Sequence, residues 1–87
     1  MSITVSFFES IKKRTGISQI EMPVVINLEA LISQLGSKFG EEFHEFLIGE
    51  DTCFFLVNGK AILGTGGLGT PLKDGDRVEV LPVIEAG

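Results

Sequence analysis

Eighty-seven residues with 44% apolar content and seven phenylalanines suffice for one hydrophobic core and are too few for two. Seven basic against twelve acidic side chains leave a net charge of −5, which argues against nucleic-acid binding by phosphate neutralisation and favours partners with positive patches. A lone Cys53 and a lone His44 exclude an internal disulfide and a Cys/His metal cluster.

A single domain over residues 1–87 is expected, with a flexible tail over 82–87. Met1 to Val5 has neither the basic nor the continuous apolar stretch of a secretory signal, and no run approaches the roughly 18 apolar residues of a membrane span. A cytoplasmic protein that neither enters membranes nor binds nucleic acid is therefore expected.

From the N-terminus, Ile3, Val5 and Phe7 alternate with Thr4, Ser6 and Phe8, the period of a strand with one buried face. Phe8 is left as an apolar residue on the outer face. Gly16 supplies a turn, and Ile17 to Met22 returns as a second strand before Pro23 interrupts pairing, so an N-terminal hairpin is expected. Lys12-Lys13-Arg14, the one basic cluster, reads as a solvated turn.

Asn27 can cap a helix, Glu29 suits its positive end, and Leu28, Leu31, Ile32, Leu35 and Phe39 fall at i, i+3, i+4, i+7 and i+11. Gly40 ends that helix. Phe43, Phe46 and Leu47 then predict a second, short helix over Glu41 to Ile48, closed by Gly49. Cys53 to Val57 is a dense apolar strand, and Asn58-Gly59 is a strong two-residue hairpin signal from which Lys60 to Leu63 should pair back. The glycine-rich stretch Gly64 to Gly69 is expected to be irregular, Asp74-Gly75 makes a turn, and Arg77 to Leu81 alternates as a last strand. The predicted order is β, β, α, α, β, β, β.

Several chemical motifs fail on their surroundings. Gly64-Thr65-Gly66-Gly67-Leu68-Gly69 satisfies G-x-G-x-x-G, but Pro71 follows where a helix is required, and the Gly-Lys-Ser/Thr ending of a triphosphate loop is absent. Cys53 reads as a small buried residue and His44 as a surface side chain. Glu41-Glu42 and Asp74 with Asp76 have helix-start and turn explanations, so no acid-base dyad is assigned.

The order of elements, with Phe7-Phe8-Glu9, Val57-Asn58-Gly59-Lys60 and the run from Leu72-Lys73-Asp74-Gly75-Asp76-Arg77 to Pro82, resembles the ubiquitin-like sulfur-carrier family. Within it the chain looks most like the molybdopterin synthase small subunits. The resemblance implies an α+β, ubiquitin-like β-grasp: a mixed sheet of about five strands packed on one main helix plus a short second helix, with the N- and C-terminal strands adjacent and parallel. It also implies that an adenylating, ubiquitin-activating-like enzyme uses ATP and magnesium to activate the C-terminal carboxylate of Gly87. Sulfur then replaces AMP, and the thiocarboxylate donates sulfur inside the large synthase subunit. No cofactor would be bound stably, and the chain would be a sulfur-donating subunit rather than a catalyst alone. Glycine suits the end of such a tail because an acyl carbon without a flanking side chain can enter a narrow site.

One departure stands out, since the family usually ends in Gly-Gly and this chain ends Glu85-Ala86-Gly87. Either the activating enzyme accepts Ala86, the reading adopted, or the chain is a paralogue whose tail docks without thiolation. Strand parity adds a docking surface. Val78 and Val80 share the core face, which leaves Leu81 outside; if the first and last strands are neighbours, Phe8 and Leu81 form an exposed apolar patch. The partner-binding set is thus Phe8, Leu81, Pro82, Val83, Ile84, Glu85 and Ala86, with Gly87 as acyl carrier. Alternatives are a sulfur carrier for thiamine synthesis, a ubiquitin-like protein modifier and a non-thiolated interaction module.

Overall fold

The computed structural model describes residues 1–49, 52–64 and 66–83. Strand β1 spans Ile3–Phe7, helix α1 Glu9–Thr15, β2 Gln19–Met22, α2 Leu28–Phe39, α3 Glu41–Ile48, β3 Cys53–Val57, β4 Lys60–Ala61 and β5 Arg77–Pro82, with 3₁₀ turns at Ile62–Gly64 and Gly67–Gly69. The sheet order is β2-β1-β5-β3-β4. β1 and β5 run parallel, pairing Val5 with Val78 and Phe7 with Val80, and the other neighbours are antiparallel. This is the mixed β-grasp sheet that the resemblance implied. Among the described residues no helix is long and apolar enough to cross a membrane.

The core follows the periodicities of the chain. Ile3, Val5 and Phe7 of β1, Val78 and Val80 of β5, and Phe55 and Val57 of β3 point to one side of the sheet and are buried there. Leu28, Leu31, Ile32 and Leu35 of α2 meet them as a single helical stripe. Each such side chain contributes roughly 1.5–3 kcal/mol by leaving water. Asn27 caps α2 as expected: its Oδ1 accepts from the Ala30 N–H at 2.9 Å. Phe39 and Phe43 close the end of the core with edge-on contacts to the Phe7 ring, centroids 5.8 and 6.0 Å away. α3 lies against α2, and that packing depends on Gly36, where an added Cβ would come within 2.7 Å of the His44 Cβ. His44 is accordingly half-buried rather than the surface side chain expected.

Two elements differ from the expected order. The two N-terminal strands are not joined by a plain turn; residues 9–15 form α1, and Lys12-Lys13-Arg14 makes up its last turn. This helix leaves little periodic signal, because only Ile11 is buried, Phe8 at the N-cap supplies no capping side chain, and Glu9 opens it at φ +54°. Gly16 does terminate it, at φ +79° with its N–H bonded to the Lys12 carbonyl. At the second hairpin, Asn58 (φ +52°) and Gly59 (φ +83°) form the expected turn. Pairing back then stops at Ala61 instead of Leu63: Ile62 packs against the core and the chain curls into the first 3₁₀ turn. The glycine-rich stretch also carries a second 3₁₀ turn before reaching the bridge between Asn27 and Pro71, instead of entering a helix.

Candidate functional site

β5 is held at both ends before it delivers the tail. At its start, the turn Lys73-Asp74-Gly75-Asp76 is organised by the buried Asp76 carboxylate. Oδ1 accepts from Asn58 Nδ2 and Lys73 Nζ, both at 3.0 Å, and Oδ2 accepts from the Lys73 backbone N–H at 2.9 Å. Asn58 in turn accepts the Arg77 N–H at 3.0 Å, so one carboxylate couples the β3–β4 turn to the first residue of β5. Burial pushes the Asp76 carboxyl up, but hydrogen bonds from Asn58 and Lys73, with the Lys73 charge, outweigh it and hold it below its ordinary value. This is the turn role expected of Asp76. At the other end, Pro82 pairs with Cys53 and the Val83 N–H donates to the Thr52 carbonyl at 3.4 Å. Pro82, expected to open the tail, is therefore the last residue of β5.

On the outer face at this end Phe8 and Leu81 lie near one another, with a further apolar residue beside them. The Phe8 N–H donates to the Val80 carbonyl at 3.2 Å, which sets Phe8 beside the end of β5. Phe8 is 37% exposed and Leu81 is half-buried. The helix that could have covered them, α3, lies on α2 at the opposite side of the sheet. Leu81 pairs in turn with Phe54 of β3, which is 42% exposed. Phe8, just after β1, Leu81 of β5 and Phe54 of β3 thus form an apolar row, with Val83 exposed just beyond it. Ile84, Glu85, Ala86 and Gly87 lie outside the described residues.

Beside Phe8 the surface dips into an open groove of about 790 Å³ whose lining includes Ser6, Phe8, Lys12, Lys13, Gln19 and Arg77. The net charge favours basic partners, yet this groove is basic on balance: Lys12, Lys13 and Arg77 line it against one carboxylate, Glu9. Arg14 turns elsewhere, with its guanidinium 4.0 Å from the centroid of the Phe46 ring. Cys53 is half-buried at the start of β3. Burial pushes its thiol up against the opposing Thr52 hydrogen bond and Arg14 charge, and Sγ contacts the Leu47 carbonyl at 3.8 Å.

β5 is thus anchored at its first residue and ends beside an apolar row. Residues 5–87 match the ThiS family. The chain belongs to the ThiS family. Its members are ubiquitin-like sulfur carriers, and the ThiS fold recurs in solved structures. The chain is 30% identical to one from the complex of subunits 1 and 2 of the molybdopterin-converting factor of Helicobacter pylori, covering 100% of both chains with a TM-score of 0.69. It is 27% identical to CysO of Mycobacterium tuberculosis, over 94% of this chain and 99% of that one, with a TM-score of 0.80. Small archaeal modifier protein 1 of Methanosarcina acetivorans shares the fold at 21% identity, over 99% and 96% of the two chains, with a TM-score of 0.84. No curated protein sequence matches the chain.

In this ThiS-family chain two features of this end of the sheet escape a reading from sequence. Phe54 sits in a run so apolar that both its faces look buried. The signal that could have found it is the Asn58-Gly59 turn, which fixes Val57 against Lys60 and hence which of Phe54 and Phe55 faces out. The basic flank depends on α1, which the sequence hides.

Proposed function

We propose that this chain is the sulfur carrier of molybdopterin assembly, with Gly87 as its reactive residue. Adenylation forms a bond between a terminal carboxylate oxygen and the α-phosphorus of ATP while pyrophosphate leaves. A sulfur nucleophile at the oxidation level of hydrosulfide then attacks the acyl carbon, the bond to AMP breaks, and AMP departs with the electron pair. The resulting thiocarboxylate donates sulfur to a pterin precursor in a larger subunit. ATP and magnesium are used by the activating enzyme, and the chain is a co-substrate in both encounters. The observation that carries this reading is the 30% identity, over the whole of both chains, to a protein from a molybdopterin-converting factor complex. The reading gains physical support from the row Phe8, Leu81 and Phe54 beside the exit of the tail, where a partner burying them would hold residues 84–87 near its own site.

The test is intact-mass spectrometry after incubation with ATP, the adenylating enzyme of the same organism and a sulfur donor. Exchange of one carboxylate oxygen for sulfur adds about 16 Da, following the displacement above. Deleting Gly87 should abolish the gain and the transfer of sulfur to the pterin. Fixed-mass adducts on lysines of other proteins would instead mark a modifier, and full activity without Gly87 would reject the carrier.

A further inference from the structure

The opposite side of the molecule has an apolar surface that the transfer of sulfur does not use. Ile26 is 78% exposed, Ile48 50% and Leu68 38%, although all three are large aliphatic side chains. They border a depression of about 430 Å³ between α2 and α3, floored by Ala30, Ser33 and His44. Ser33 and His44 also line its continuation of about 280 Å³, which runs past Gly36 to Glu41. Ala30, Ser33 and Gly36 line this channel from α2 with small side chains.

Its charge is one-signed. Glu29 stands at one end and Glu41 at the other, and neither part is lined by Lys or Arg. Residues 41–51 hold Glu41, Glu42, Glu45, Glu50 and Asp51, five of the twelve acidic residues, and no Lys or Arg. Two copies of the chain meeting here would set these carboxylates against each other, and an anionic membrane or a nucleic acid would be repelled. An aliphatic ridge rimmed by cations meets both requirements of the channel.

We propose that the α2–α3 channel binds a cationic amphipathic polypeptide segment, in which leucine or isoleucine side chains at i, i+4 spacing cover Ile26, Ile48 and Leu68 while flanking lysines or arginines meet Glu29 and Glu41. The channel lies on the helical side of the sheet, and Phe8, Leu81 and Phe54 lie on the other. A protein held by its helices keeps its tail end free, so one partner can retain the carrier while another uses Gly87.

The probe is a blocked 14-residue peptide of leucine and lysine with helical spacing, titrated into the isotopically labelled full chain and followed by amide chemical shifts. Saturable shifts are expected at Ile26, Ala30, Ser33, His44, Ile48 and Leu68. The same peptide with glutamate for lysine should produce none. Ile26→Ser with Ile48→Ser should weaken binding at least tenfold, as should Glu29→Lys with Glu41→Lys; the second pair keeps the test valid if the first perturbs folding. Shifts centred on Phe8, Phe54 and Leu81, equal binding of the glutamate peptide, or affinity unchanged by either pair would overturn the proposal. These readings do not depend on thiolation, so they stand apart from the fate of the sulfur-carrier assignment.

Discussion

Three pairs of adjacent residues at the tail end of the sheet go opposite ways. Phe7, Val80 and Phe55 form an inner row in register across β1, β5 and β3, while Phe8, Leu81 and Phe54 form the outer row one residue on. Phe7 is 2% exposed and touches the rings of Phe39 and Phe43; Phe8 is 37% exposed and borders an open groove. The rows are chemically alike, so hydrophobicity alone does not tell structure from function. Parity does, because a strand sends successive side chains to opposite faces and only one of them has helices on it.

The largest expected effect breaks the inner row. Phe7→Ala should cost about 3–5 kcal/mol, since it removes a fully enclosed ring and the edge-on contacts around it. Urea unfolding would show the midpoint collapse, and a loss below about 1 kcal/mol would mean that the core does not close on this residue. Leu81→Asp is the counterpart in the outer row. It should cost under about 1 kcal/mol in stability and weaken binding to the adenylating enzyme ten- to a hundredfold, roughly 1.4–2.7 kcal/mol. Calorimetry on both quantities decides the matter, for equal losses of stability and binding would erase the distinction between rows.

A smaller effect concerns what aligns the two rows. Asp76→Asn removes the charge that Asn58 and Lys73 hold, and should cost about 1–2 kcal/mol at neutral pH. The folded carboxyl is held below its unfolded value near 3.9, so its contribution is present above about pH 4 and disappears as pH falls through the folded value. The wild type's advantage over Asp76→Asn should therefore shrink in acid. A gap that stays constant from neutral to strongly acidic pH would show that the carboxylate charge is not what couples the β3–β4 turn to β5.

Long periodic segments were legible from the chain because burial imposes their period. The stripe from Leu28 to Leu35 and the alternation around Val78 and Val80 each record one buried face, and the Asn58-Gly59 turn records a backbone demand that few other pairs meet. The neighbouring placement of β1 and β5 came from family resemblance, since nothing in either strand encodes its parallel partner. α1 was hidden for a physical reason: seven residues with one buried side chain and no N-capping side chain are stabilised by their neighbours rather than by their own pattern. The charged flank of the outer row was hidden with it, because only the helix brings Lys12 and Lys13 to the groove that Arg77 also lines.

That flank supplies the smallest effect and the one that most sharpens the contrast between faces. Lys12 is exposed and makes no ion pair among the described residues, so it should act on approach more than on the final complex. Lys12→Glu and Lys38→Glu alter the net charge equally, but only Lys12 lines the groove beside Phe8, whereas Lys38 lies in the last turn of α2. In stopped-flow mixing with the adenylating enzyme at low salt, Lys12→Glu should slow association roughly three- to tenfold with little change in dissociation, and Lys38→Glu should leave both near wild type. Raising ionic strength to about 0.5 M shortens the screening length to a few ångströms and should bring the three proteins together. Equal slowing by both substitutions would mean that the partner senses only the total charge, and the outer row would then dock by its apolar residues alone.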